Sequence, residues 1–401
     1  MLLAAIVAAA SLPVNAAVGY LTTFVALSGK RRAPAPTMSR RFRIIVPAHD
    51  EQAGISETVR SLLALDYPRE LFGVQVVADN CADGTAAAAR GAGADVLERN
   101  DTSRRGKGYA LLHAFERLPA DVDAVVVIDA DTLVSPNLLG AFAARLERGA
   151  AAVQADYAVR NPDQSWRTRL MAIAFGSFHI VRSRGRERLG LSAGLRGNGM
   201  CFTREILQQV PHDAFSIVED VEYGIRLGEH GCRVHYADEA HVYGEMVSNA
   251  ASATSQRKRW EGGRRALRKA HAWRLVRKGL IERNKVLLDL GFDLLLPPLS
   301  TLVVSAAVGG AVAVGVALVA DGFTWLAVPL WGAALGGIGI YVLRGWSVSG
   351  TGARGLRDLA LAPGYVVWKL MLGRSGAESK PDASWIRTTR EAEVERAGSA
   401  L

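Results

Sequence analysis

The chain has 401 residues, 49% of them hydrophobic and only 22% charged, with a formal net charge of +9 at pH 7. That length holds one large domain or two, and a mean hydropathy of +0.12 is too apolar for an ordinary soluble enzyme. The positive balance admits nucleic acid, anionic lipid or phosphorylated ligands, but no nucleic-acid motif occurs and the basic residues cluster beside apolar segments, which points to a membrane surface.

No charge occurs from Met1 to Gly29, and Lys30-Arg31-Arg32 follow at once. About 20 apolar residues suffice to span a bilayer. A signal peptide is the competing reading, since Val14-Asn15-Ala16 resembles a cleavage site, but the basic leading region is missing and the stretch is overlong. The basic run after residues 1–29 places the following domain in the cytoplasm. Residues 40–250 read as a globular α/β domain. FRIIVPA (42–48) and VQVVAD (74–79) are strands, TAAAARGAGA (85–94) is a helix, DVLE continues the alternation, and another helix runs from Gly106 to Leu118. Alternation of this kind predicts a mostly parallel sheet whose ligand sits at the carboxyl ends of the strands. Those ends carry His49-Asp50-Glu51, Asp79, and then Asp129 and Asp131.

The stretch DAVVVIDADTLVSP (123–136) poses the sharpest question, because an apolar strand buried on both faces runs into paired negative charge. Continued as extended chain, Asp129 and Asp131 point to one side. Either they cap a turn, or they share a divalent cation with a phosphorylated substrate. Lys107 lies between glycines at a helix start, where the helix dipole favours a phosphate; an ordinary basic loop is the plainer alternative. AGLRGNGMCF (193–202) is a close-approach loop or merely a tight turn. Glu219-Asp220 at another helix start are caps or a general base. Residues 251–293 are very basic and read as amphipathic interfacial helices. Two further uncharged stretches, within 294–343, read as a pair of transmembrane helices, with a soluble helical hairpin as the alternative. Residues 354–372 read as a helix in the membrane interface, broken near Pro363. Gly350 to Gly355 form a GxGxxG that follows an apolar span rather than a strand, so it reads as a linker. Cys81, Cys201 and Cys232 form neither a zinc pattern nor a disulfide framework, as suits a reducing cytosol.

Taken together, VPAHDE (46–51), VVADNCADGT (76–85), GKGYAL, DAD, VED and QRKRW resemble, in order, the motifs of the membrane-integrated family-2 glycosyltransferases, relatives of the cellulose, chitin and hyaluronan synthases. His49-Asp50 depart from the usual Tyr-Asn of that pattern, and Ala78 replaces its first aspartate. The resemblance covers nearly the whole chain. It implies a Rossmann-like A-type glycosyltransferase domain with about three transmembrane helices and interfacial helices. Residues 350–401 read as an interfacial helix and a cytoplasmic tail, in which WIRTTR (385–390) is similar to the gating loop of the processive members at Trp385, Thr388 and Arg390; a disordered tail is the other reading of that stretch.

What the resemblance implies is an inverting transfer from a UDP-sugar. Asp131, with Asp129, would hold Mg²⁺ or Mn²⁺ on the diphosphate. Glu51 and Asp79 would hold the uridine, while Lys107, Gln256 and Arg259 would neutralise the leaving group. Asp220 is the expected base. Glu219, Trp260, Gly197, Asn198 and Gly199 would line the acceptor approach. The acceptor is a growing polysaccharide or a lipid, with exopolysaccharide or envelope glycan assembly the leading reading. Three spans are scant walls for a channel, so an oligomer or a partner membrane protein would supply the rest. Competing classes are a non-catalytic membrane scaffold and a nucleic-acid binder, the latter resting on charge alone.

Overall fold

A computed structural model describes residues 2–246, 250–319, 323–364 and 366, with side chains for all but 250–260 and 323–324. The chain forms two compact units, one from residues 30–168 and 189–294, the other from described residues within 1–29, 169–188 and 295–376.

The first unit is built on an eight-stranded sheet: β1 (Phe42–Ala48), β2 (Phe72–Asp79), β3 (Asp95–Arg99), β4 (Ala124–Val127), β5 (Thr132–Val134), β6 (Ala152–Val159), β7 (Met200–Thr203) and β8 (Val234–Gly244). Its strand order is β3-β2-β1-β4-β7-β6-β8-β5. The four leading strands are parallel, β7 runs antiparallel to both β4 and β6, and β6 pairs parallel with β8. The fold class expected from the alternation is therefore present, with an antiparallel insertion at β7.

Strand β4, and β1 from Ile44 onward, read as apolar runs because both of their faces are covered. Ile44, Val46 and Val126 join one core layer with Ile55, Val59 and Leu62, whereas Ile45, Val125 and Val127 join the opposite layer with Ala110, Leu111 and Ala114. Helices Ile55–Leu63 and Lys107–Phe115 supply those two coverings. All of the β4 side chains are fully buried, so a polar residue inside the run would face a desolvation cost. Charge can begin only where the strand ends, and here it does.

The second unit contains three helices long and apolar enough to cross a membrane, Leu2–Leu27, Leu299–Val319 and Ala327–Val348. They hold together through small residues and satisfied polar groups, as apolar surroundings demand. A Cβ on Gly337 would lie 2.3 Å from Val18. Asn15 donates to the Leu330 carbonyl at 3.1 Å, and the Trp331 indole donates to the Val7 carbonyl at 3.1 Å. Arg344 grips the end of the first helix, donating to Ser28 Oγ and O at 2.8 and 3.0 Å. Between these helices in sequence, residues Gly176–Val181 form a π-helical turn, whose Ser177 carbonyl accepts from Tyr341 at 3.0 Å.

The GxGxxG stretch departs from the linker expected of it. Gly350 turns the chain with φ 73°, and helix Gly352–Asp358 starts at once. The Trp346 indole pins that start by donating to the Gly352 carbonyl at 2.8 Å.

Candidate active site

Strand β4 stops at Val127, and residues 129–132 form a tight turn, with Thr132 N donating to Asp129 O at 3.2 Å. This corrects the extended geometry expected for Asp129 and Asp131, which stand at the first and third positions of the turn. Two long-range contacts impose it. Thr58 donates to the Ala130 carbonyl at 2.8 Å. Asn198, fully buried, accepts from Asp129 N at 3.1 Å and donates to Thr132 Oγ1 at 2.7 Å. One amide thus clamps both ends of the turn. Asn198 was expected along the acceptor approach; its side chain is spent on this clamp.

The loop that carries Asn198 is itself anchored. Gly199 N donates to Val127 O, and Gly199 O accepts from Ala155 N, joining β4 to β6. Gln154, a lone amide in an apolar strand, donates to Asn198 O at 2.7 Å and accepts from Arg196 N at 2.9 Å. Gly197 has φ 76°, and a Cβ there would lie 3.5 Å from Lys107 Nζ and 3.6 Å from Asp220 Oδ2. The left-handed conformation favours glycine, and the missing side chain leaves space among the charges.

Lys107 opens its helix from Gly106, which has φ 129°. Its Nζ donates to Asp129 Oδ1 at 2.5 Å and also to the Gly197 carbonyl, and Glu219 Oε1 lies 3.7 Å away. The helix is seated closely against another loop, for a Cβ on Gly108 would lie 2.2 Å from the Ala214 carbonyl. Glu219 and Asp220 form the first turn of helix Glu219–Glu229, where no side chain caps the start. In this way Lys107, Asp129, Asp131, Gly197, Glu219 and Asp220 meet from four separate stretches.

The electrostatics of the cluster follow from its burial. Burial pushes Asp129 up, against the opposing charge of Lys107 and with Asp131 adding to the rise. Asp220 is likewise raised by burial, although the Val221 backbone N–H, Lys107 and Arg196 all work to lower it. Glu219 is pushed up to about 7, again by burial first, with Lys107 opposing and Asp220 reinforcing. For Lys107 burial acts downward, but Asp129, Glu219 and Asp220 outweigh it and hold the ammonium above the usual lysine range. Four raised groups gathered in one place mark a functional-site candidate.

Glu51 and Asp79 stand at the neighbouring strand ends. Glu51 N donates to Thr85 Oγ1 at 2.8 Å. Asp79 is 1% exposed, and Arg99 donates to its carboxylate at 2.5 Å. Gln256, Arg259 and Trp260 lie in helix Ala250–Ile281, with side chains outside the described set. Trp385, Thr388 and Arg390 lie outside the described residues altogether. Sequence reasoning missed Tyr157, which hydrogen-bonds Asn198 and is raised by burial and then by Asp129 and Asp131. A bulge between Ala155 and Asp156 sets its register. A polar Gln154 three residues before it was the available signal.

Residues 39–263 match the model described as "Glycosyltransferase like family 2". Among curated proteins, the chain is 25% identical over 231 residues to the probable glycosyltransferase YdaM of Bacillus subtilis, covering 55% of this chain and 54% of that protein. It is 28% identical over 250 residues to the beta-monoglucosyldiacylglycerol synthase of Trichormus variabilis, covering 60% of this chain and 52% of that one. The chain spans about half the length of the curated relatives it matches. Among solved structures, the mannosyltransferase PcManGT from Pyrobaculum calidifontis, determined with GDP-Man and Mn2+, superposes with a TM-score of 0.58 at 19% identity, covering 86% of this chain and 97% of that one. That likeness shows a shared fold, the A-type glycosyltransferase α/β domain. With more than half of its residues matched to one family model, the chain belongs to glycosyltransferase-like family 2.

Proposed function

We propose that the protein transfers a sugar from a UDP-sugar to an acceptor hydroxyl at the cytoplasmic membrane face, with inversion at the anomeric carbon. One observation carries the reading: Asp129, Glu219 and Asp220 converge around Lys107, with Asp131 beside Asp129, at the carboxyl end of β4. The basic Lys30-Arg31-Arg32 run supports the cytoplasmic side.

The donor set fits a hard divalent cation. Oxygen-only carboxylates on a tight turn suit Mg²⁺ or Mn²⁺, which take one or two protein carboxylates and complete their shell with phosphate and water. Bound there, such an ion neutralises charge on the departing diphosphate. Asp131 and Asp129 are the residues that would hold it, and the Asn198 clamp fixes their spacing. Lys107 binds phosphate oxygen as a point charge, and Arg259 with Gln256 act on the same group. Asp220 takes the proton from the acceptor hydroxyl. Its raised pKa keeps it basic enough for that role. Glu51 and Asp79 orient the uridine. Glu219, Gly197 and Gly199 border the acceptor, and Trp260 offers it a flat face.

A lipid acceptor is the reading we favour, because a glucosyldiacylglycerol synthase is among the relatives and three apolar helices give a bilayer location. Assembly of an envelope glycan is the second reading, favoured by the QRKRW and WIRTTR resemblances. Incubating membranes with a panel of labelled UDP-sugars and analysing the products tests both. A glycolipid of one added sugar supports the first, and a long chain supports the second. Absence of transfer from every UDP-sugar overturns the assignment.

A further inference from the structure

Strands β1 and β2 pair in register to Ala48↔Ala78, and β2 runs one residue further, to Asp79↔Arg99, before it too turns away. Both exits use a left-handed backbone at a non-glycine residue, Asp50 with φ 55° and Asn80 with φ 51°. Conformations of this kind are uncommon and concentrate at ligand clamps. The two turns bring His49 and Asp50 face to face with Cys81, all half-buried.

We propose that His49, Asp50 and Cys81 form a second cation site, selective for a thiophilic divalent ion of the zinc class. One ligand atom from each residue lies within 4.8 Å of the other two. His49 Nε2 and Asp50 Oδ2 are 3.8 Å apart. Tetrahedral zinc with bonds of about 2.0–2.3 Å sets its ligand atoms about 3.3–3.6 Å from one another, so modest side-chain rotation closes the site. Each ligand is already oriented from behind. His49 Nδ1 faces the Asp79 carbonyl at 2.7 Å; a carbonyl only accepts, so Nδ1 carries the proton and Nε2 the lone pair. Asp50 Oδ1 accepts from Ala82 N at 2.7 Å, and Cys81 Sγ accepts from Asp50 N at 3.5 Å. Outer contacts of this kind fix tautomer and ring orientation in metal sites.

The donor chemistry separates this site from the Asp129–Asp131 turn. Thiolate and imidazole select zinc-like ions, whereas carboxylates alone suit magnesium and manganese. Three protein ligands leave a fourth position for water. An ion here would tie the β1 corner to the β2 corner, on either side of Glu51 and Asp79. The cysteine spacing hides the site, because its ligands come from two strands and Cys81 has no cysteine partner nearby in sequence.

The test uses full-length protein in detergent, with any affinity tag removed and metals stripped, and needs no sugar transfer, so its outcome is independent of the proposed activity. Zinc is titrated against a colorimetric chelator. One zinc per chain is expected, with affinity at least tenfold lower in Cys81→Ser and His49→Gln and unchanged in Asp131→Asn. Cobalt loaded into wild-type protein should give a thiolate charge-transfer band that survives Cys232→Ser and disappears in Cys81→Ser. Absence of that band in the wild type, its dependence on Cys232, or equal zinc affinity in wild type and Cys81→Ser overturns the proposal.

Discussion

Two strand ends only one strand apart treat their carboxylates in opposite ways. At the end of β2, Asp79 is buried and matched by the single guanidinium of Arg99, whose second nitrogen donates to Asp101 at 3.1 Å. At the end of β4, Asp129, Glu219 and Asp220 gather around one ammonium, Lys107, with Asp131 beside Asp129 and Arg196 adding charge near Asp220. The first end is charge-balanced and adds rigidity. The second keeps several acids above their usual range, because removing them from water without matching cations favours their neutral forms. An acidic surplus of that kind attracts positive charge, whereas the Asp79 carboxylate beside it already has its cation in Arg99.

The comparison predicts a sequence of effects. Chelation with excess EDTA should abolish sugar transfer and leave the fold intact; full activity under those conditions would break the assignment of the β4 end. Next in size, Asp220→Asn should lower kcat by about 10²–10⁴-fold while UDP affinity is retained, measured by turnover beside nucleotide titration. Near-normal turnover would remove Asp220 from the base role. At the balanced end, Arg99→Met strands the buried Asp79 carboxylate and should cost about 3–5 kcal/mol of stability, read from denaturant unfolding. A loss under about 1 kcal/mol would mean that the pair behaves like a surface one.

The smallest effect concerns pH. Glu219 ionises at about 7 in the folded chain against an ordinary value of 4.5. A raised carboxyl favours the fold while protonated, so its contribution is complete below pH 4.5 and is lost as pH rises through about 7. Thermal midpoints of the wild type and Glu219→Gln should lie closest at acidic pH and separate across that window, the wild type falling relative to the neutral variant as pH rises. Saturating Mn²⁺ should reduce the dependence, since a cation favours the ionised acid. Parallel midpoint curves for the two proteins would remove Glu219 from the buried cluster.

Much of this was legible in the sequence because burial writes itself as pattern. The run AVVV in β4 is apolar on both faces, the three helices long and apolar enough to cross a membrane carry no charge before Arg344, and the acids start where the apolar run stops. The turn at 129–132 was not legible. Its shape is imposed by Thr58 and Asn198, 72 and 69 residues away from their partners, and local periodicity carries no trace of such pairings. Tyr157 escaped for a related reason, since a register shift in a strand pairing decides which way it faces. The GxGxxG stretch misled because loop-forming composition also suits a tight entry into a short helix.

The Asn198 clamp has a mechanical consequence. The same three-residue segment offers Gly197 O to Lys107, grips the Asp129–Thr132 turn, and is stitched to β4 and β6 through Gly199. A displacement of that segment by a fraction of an ångström therefore alters the gap between Asp129 and Asp131 and drags the ammonium with it. Whatever pushes on one side of this cluster is felt on the other, so the Asp129–Asp131 turn and the Gly197 loop move as one piece.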